Sequence, residues 1–185
     1  VIREMADALA LELVEKGLAT DQLTLTVGYD IENIQDPERL SRYQGEIKKD
    51  RYGRFVPKHS HGTENIGKYT SSTRKIQDAA DALFHRIVDP GLLIRRLNIT
   101  ANHVMSEREV PEADACEQMD LFVDYEIMQE EKRREEAEQV REKKIQSTVL
   151  DIKRKFGKNA ILKGTALEDG ATSRERNQKI GGHQA

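Results

Sequence analysis

Few residues in this chain have types and spacings that suit covalent or metal chemistry. His59 and His61 in "KHSHG" stand two apart, as a metal pair can, but no neighbouring Cys, His or clustered carboxylate completes a ligand set. Exposed or phosphate-contacting histidines are the better reading. Cys116 lacks a basic or histidine neighbour to lower its pKa, which argues against a nucleophile. The acidic residues fall in an aperiodic stretch and along a charged helical segment, whereas metal-dependent phosphoryl transfer needs paired carboxylates on a fixed core. No glycine loop of the phosphate-cradling type is present. Taken alone, the chain reads as non-catalytic, with no metal and no cofactor.

Binding chemistry is better represented. Between Arg39 and Lys75 ten bases face three acids, and between Glu107 and Asp124 seven acids face one base. The first stretch attracts a polyanion and the second repels one. The hydroxyls and amide in "KYTSST" and "IRRLNIT" add neutral donors, which together with cations suit a phosphate backbone without base-edge specificity. A helix starting at Ser71, Ser72 or Thr73 adds free backbone N–H groups for a phosphate. An ordinary solvated basic surface explains the same composition, so composition leaves both readings open.

These groups need elements to hold them. Ile2, Met5, Leu9 and Leu13 recur at helical spacing and Gly17 follows as a stop, which predicts an amphipathic helix over residues 1–17. "DQLTLTVGYD" alternates as a half-buried strand, with Leu23, Leu25, Val27 and Tyr29 on its inner face. Residues 31–61, broken by Pro37, Gly45, Gly53 and Pro57, read as a long loop or ribbon, and "HGTENIGKYT" as a second strand. A helix capped within Ser71–Thr73 carries Ile76, Ala80, Leu83, Phe84 and Ile87, and Pro90 and Gly91 end it. In "LLIRRLNITANHV", Leu97, Ile99 and Ala101 face inward and Arg96, Asn98 and Thr100 outward. The sum is an α+β unit over residues 1–106: a small antiparallel sheet covered on one face by two helices, its other face polar and basic.

Residues 107–125 read as a linker, 126–158 as a charged helical tail ending in a stripe of Val149, Ile152 and Phe156 capped by Gly157, and 159–185 as a mobile C-terminal tail. For the charged helix, ion pairs four residues apart account for the pattern better than a coiled-coil seam. A chain of 185 residues, 37% hydrophobic and 34% charged, supports one modest core with a large solvated remainder. The lone cysteine and the lack of an apolar run long enough to span a bilayer predict a cytoplasmic protein. Val1 opens the chain in mid-helix without Met, which predicts a piece of a longer protein.

"LTLTVGYD", "RYGRFVPKHSHGTENIGKYTSSTRKI" and "LLIRRLNITANHV", with the tail from "STVLDIKRKFGKNAILKG" onward, resemble in order and spacing the C-terminal little-finger domain and tail of Y-family translesion DNA polymerases, of the UmuC-like (DNA polymerase V type) branch of Gram-positive bacteria. The resemblance implies that the open sheet face grips template–primer DNA, with Arg51, Arg54, Lys58, Lys68, Ser71, Ser72, Thr73, Arg95, Arg96 and Asn98 as contacts. It also implies a parent DNA polymerase, needing Mg, whose catalytic carboxylates lie outside this chain. The family's little finger opens with a strand before its first helix, so the expected sheet is one strand short, with an open edge available for self-association.

"QMDLF" is similar to the short peptide by which bacterial proteins bind the sliding clamp (β subunit). The resemblance implies that Leu121 and Phe122 bury in a clamp pocket, Gln118 fixes register, Met119 packs on the rim and Asp120 fills the spacer. A rival reading makes the chain an interaction adaptor acting through its charged helix, with DNA binding incidental.

Overall fold

The computed structural model describes residues 1–110, 125–180 and 183–184. Helix α1 (Ile2–Lys16) buries Ala6, Ala10, Leu11 and Leu13. Gly17 ends it in the left-handed conformation, φ 65°, and its N–H reaches the carbonyls of Leu13 and Val14, the geometry that favours glycine after a helix. Strand β1 (Leu18–Tyr29) starts at once. Residues 31–61, read from sequence as loop or ribbon, contain more order: helices α2 (Glu32–Gln35) and α3 (Pro37–Arg42), a hairpin of β2 (Ile47–Lys49) and β3 (Phe55–Pro57), and the first two residues of the next strand. The signal for α3 is local. The Asp36 carboxylate accepts the Glu38 N–H at 2.9 Å and Pro37 occupies the first helical position, an N-cap followed by a residue with no N–H to leave unpaired. Strand β4 (Ser60–Thr70), helix α4 (Thr73–Ile87), strand β5 (Ile94–Asn102) and the short β6 (Met105–Ser106) complete the unit.

The sheet has the order β4-β1-β5, all antiparallel, with β6 pairing the start of β1. Its inner face carries the predicted alternation. Leu23 packs with Ala6, Ala10, Leu13, Ile76 and Ala80, and Leu25, Val27 and Tyr29 pack with Leu83. Leu97, Ile99 and Ala101 of β5 lie against these clusters as expected. Burying a leucine of this kind contributes about 1.5–3 kcal/mol. Alanines at the α1–α4 contact let the helices lie close, and Gly62 does the same between β4 and α4. A Cβ on Gly62 would stand 2.9 Å from Ile87 Cγ2 and 3.1 Å from Leu83 Cδ1. Buried Asn33 ties α2 to the entrance of β5, donating to the carbonyls of Asp30 and Leu93 at 2.9 Å each and accepting the Leu93 N–H at 2.8 Å. The fold is the α+β class read from the sequence.

Helix α5 (Tyr125–Phe156) is one continuous rod of 32 residues, ended by Gly157 at φ 97°. In the stretch after it, several described residues contact α1. Glu4 accepts the N–H groups of Thr172 at 3.1 Å and Ser173 at 3.3 Å, the start of helix α6 (Ser173–Gln178), and Lys163 pairs with Asp7 at 2.6 Å. Burial raises the Glu4 pKa, but the hydrogen bonds from Thr172 and Ser173 outweigh it and hold the carboxyl below its ordinary value.

Candidate nucleic-acid interface

The sheet face away from the helices is built in register across three strands. Thr24 of β1 stands between Thr63 and Thr100, Thr26 between His61 and Asn98, and Gln22 between Asn65 and Asn102. Their side chains bond to each other: Gln22 to Asn65 at 2.7 Å, Asn102 to Gln22 at 2.9 Å and to Thr24 at 2.6 Å, Thr26 to His61 Nδ1 at 3.0 Å. Arg96, opposite Gly28, adds a cation at one end. The predicted outward set of Arg96, Asn98 and Thr100 is therefore correct, but the face is one of amides and hydroxyls, not a basic one. The positive excess of the sequence lies elsewhere, and local partners neutralise much of it: Arg42 with Glu38, Lys48 and Lys58 with Glu46, Arg54 with Asp50.

Arg95 occupies a bulge. Gly28 pairs with Arg96 and Tyr29 with Ile94, so Arg95 has no opposite residue, and a bulge of this kind re-aims a side chain at a strand end. Lys68 lies in an irregular stretch of β4, where the register jumps between Thr20↔Thr70 and Gln22↔Asn65.

The start of α4 differs from expectation. Ser72 is its N-cap and accepts the Lys75 N–H at 3.3 Å, as the sequence indicates. Its donors are nevertheless taken by α5. Ser72 Oγ donates to Glu142 Oε2 at 2.6 Å and the Arg74 N–H to Glu142 Oε1 at 3.0 Å. Ser71 Oγ donates to Glu107 at 2.6 Å, and the buried Gln146 donates to the Ser71 carbonyl and to Thr73 Oγ1, both at 2.9 Å. Arg74 pairs with Glu138 at 3.1 Å and Lys75 with Glu135 at 2.5 Å. The Lys75 ammonium, with a further contribution from Lys68, holds the Glu135 carboxyl below its ordinary value. A carboxylate thus fills the position assigned to a phosphate; the Ser71 and Ser72 hydroxyls donate to Glu107 and Glu142, and the Thr73 hydroxyl accepts from Gln146. Glu135, Glu138 and Glu142 share a helix face at i, i+3 and i+7; the sequence carries that stripe but not its target.

Arg51, Arg54 and Lys58 belong to the β2–β3 hairpin, which leaves the sheet next to Ser60. Sequence reasoning credited it with charge but missed its shape. Its tip is locked by Asp50, whose carboxylate accepts the N–H groups of Tyr52 at 2.8 Å and Arg54 at 3.0 Å and the Arg54 guanidinium at 2.6 Å and 2.9 Å. The Arg54 hydrogen bond is the main reason that the Asp50 carboxyl sits below its ordinary value. Tyr52 and Phe55 stand out on this frame.

Gln118, Met119, Asp120, Leu121, Phe122 and Cys116 lie outside the described residues. Among the described residues no three His, Cys, Asp or Glu side chains gather as a metal site, and no helix is long and apolar enough to cross a membrane.

A model of the impB/mucB/samB family C-terminal domain matches residues 1–121. No curated protein and no solved structure matches the chain.

Proposed function

The chain belongs to the impB/mucB/samB family through its C-terminal domain, the family of UmuC-like translesion DNA polymerases, and from this premise we propose that it grips template–primer DNA for such a polymerase and ties it to the sliding clamp. The observation that carries the DNA reading is the three-strand row of Thr24, Thr26, Thr63, Asn98 and Thr100 with Arg96 at its end. Neutral donors repeated along strands can follow a phosphate backbone at any sequence, and one or two cations give affinity without base preference. Arg95 and Arg96 supply that charge, with Asn98 beside them. Lys68, exposed on β4, adds a further cation, whereas Ser71, Ser72 and Thr73 join the contact only if α5 moves away.

The clamp contact is assigned to Gln118–Phe122, with Leu121 and Phe122 as apolar anchors. A peptide of this size binds at roughly micromolar strength, about −8 kcal/mol. Joining it to a DNA-gripping domain turns the second contact into an intramolecular one at an effective concentration on the order of millimolar. Such an enzyme visits a primer end briefly and leaves.

The test is a salt titration of duplex affinity by fluorescence anisotropy. Wild-type affinity should fall steeply with salt, and Arg95→Ala with Arg96→Ala should flatten the log–log slope by up to about 0.9 for each phosphate that is no longer neutralised. An unchanged slope defeats the sheet-face assignment.

A further inference from the structure

We propose that the β2–β3 hairpin is a stacking platform for the unpaired bases of a nucleic-acid strand, with Tyr52 and Phe55 as the stacking rings. The inference extends the DNA-gripping reading from duplex to single strand and rests on it for the identity of the ligand.

Three observations support it. The first is exposure: Tyr52 is 66% exposed, Phe55 56% and Ile47 41%, an apolar display that no contact within the chain requires. The second is charge beside each ring. The Lys49 ammonium lies 5.1 Å from the Phe55 centroid, and the Arg51 and Arg54 guanidinium carbons lie 4.7 Å and 5.2 Å from that of Tyr52. Five bases and one acid fall between residues 47 and 58. Aromatic faces interleaved with cations are what a single strand needs, since bases stack on the rings while phosphates meet the charges, and every base has a π-face to offer. A protein partner would be served by the apolar surface alone and has no use for a cation at each ring.

The third is rigidity. Asp50 closes the tip with two backbone hydrogen bonds and a paired arginine, the Gly53 N–H returns to the Asp50 carbonyl at 2.9 Å, and the Lys58 N–H bonds the Glu46 carbonyl at 2.8 Å at the base. Rings held ready lose little conformational freedom when a base arrives. Asp50 neutralises Arg54, which leaves Lys49 and Arg51 to meet phosphate. The hairpin runs into β4 at Ser60, opposite Val27, the same end of the sheet that carries His61 and Arg96. A strand leaving the open face at that end meets the hairpin next.

The experiment uses the full chain, a single-stranded oligothymidylate of about ten nucleotides and a blunt duplex, followed by anisotropy. Tyr52→Ala with Phe55→Ala should weaken single-strand binding about tenfold for each stacked base removed and leave duplex affinity within about twofold, while Tyr52→Phe keeps single-strand affinity. Both positions are exposed, so an unchanged melting temperature certifies the fold. Unchanged single-strand affinity in the double variant, no single-strand binding by the wild type, or an equal loss on both ligands overturns the platform. If the wild type fails to bind blunt duplex while the single-strand loss appears as described, the platform stands and the sheet-face reading falls.

Discussion

Glu142 and Ser72, seventy positions apart in sequence, are joined by a 2.6 Å hydrogen bond, and the second oxygen of the same carboxylate takes the Arg74 N–H. The chain supplies its own anion to the start of α4. Glu142→Ala removes both contacts at a site that water can reach, at a cost of about 0.5–1.5 kcal/mol, and should lower the melting temperature by a few degrees. Changing Glu135, Glu138 and Glu142 together to Gln removes three negative charges beside Arg74 and Lys75. Affinity for duplex DNA should rise at low salt and the gain should vanish at high salt, because screening suppresses exposed charge effects beyond a few ångströms. A gain that persists at high salt would contradict a purely electrostatic origin.

Leu121→Ala with Phe122→Ala should abolish clamp binding in a pull-down or surface plasmon resonance measurement, since each side chain contributes on the order of 1.5–3 kcal/mol when buried. Duplex affinity and melting temperature should stay at wild-type values. A melting temperature several degrees lower with clamp binding intact would assign the pair to the fold. Gln118→Ala removes hydrogen bonds but little area and should weaken the interaction by about 0.5–1.5 kcal/mol.

Gly62→Ala drives a methyl group into Ile87 and Leu83. Neither neighbour is the free end of a long chain, so the helix must lift from the strand, and a destabilisation of about 1–3 kcal/mol should appear in chemical denaturation. An unchanged midpoint would mean that α4 does not press on β4 at this point.

Asp50 gives the hairpin tip a pH dependence of known sign. Its carboxyl is held below the ordinary value by Arg54, so the charged form contributes order at any pH above the unfolded value of about 3.9, and that contribution fades as pH falls through the lower folded value. Amide resonances of Tyr52 and Arg54 should therefore hold their positions from neutral pH to about 4 and shift below it. Asp50→Asn should move them at neutral pH. Resonances that shift between pH 6 and 5 would contradict the assignment.

The alternation of Leu23, Leu25 and Val27, the stop at Gly17 and the cap at Ser72 were legible because each depends on neighbours in sequence. Other features depend on partners far away. Asn33 reads as an ordinary loop amide until Leu93 is folded onto it. Ser71, Ser72 and Thr73 read as open donors because nothing in "SST" announces a carboxylate at 142. The basic tally between residues 39 and 75 suggested a basic sheet face, yet alternation turns hydroxyls and amides outward and leaves most cations on the hairpin, α3 and α4. Tyr52 and Phe55 were visible as letters within "RYGRF"; that they are held out on a locked turn was not.

The central place of β1 has a consequence in time. Val27 pairs with Ser60 on one side and Leu97 on the other, so the earliest of these three strands is completed by partners that arrive much later. The second of these emerges roughly seventy residues on, which at about 5–20 residues per second is several seconds of synthesis. Over most of that interval Leu23 has helix α1 against it while Leu25 and Val27 still lack Leu83 of α4, and the edge that β5 will fill stays open. Distant pairings of this kind make folding slow. The nascent chain is therefore most exposed to misassociation in the interval between the appearance of β1 and that of β5.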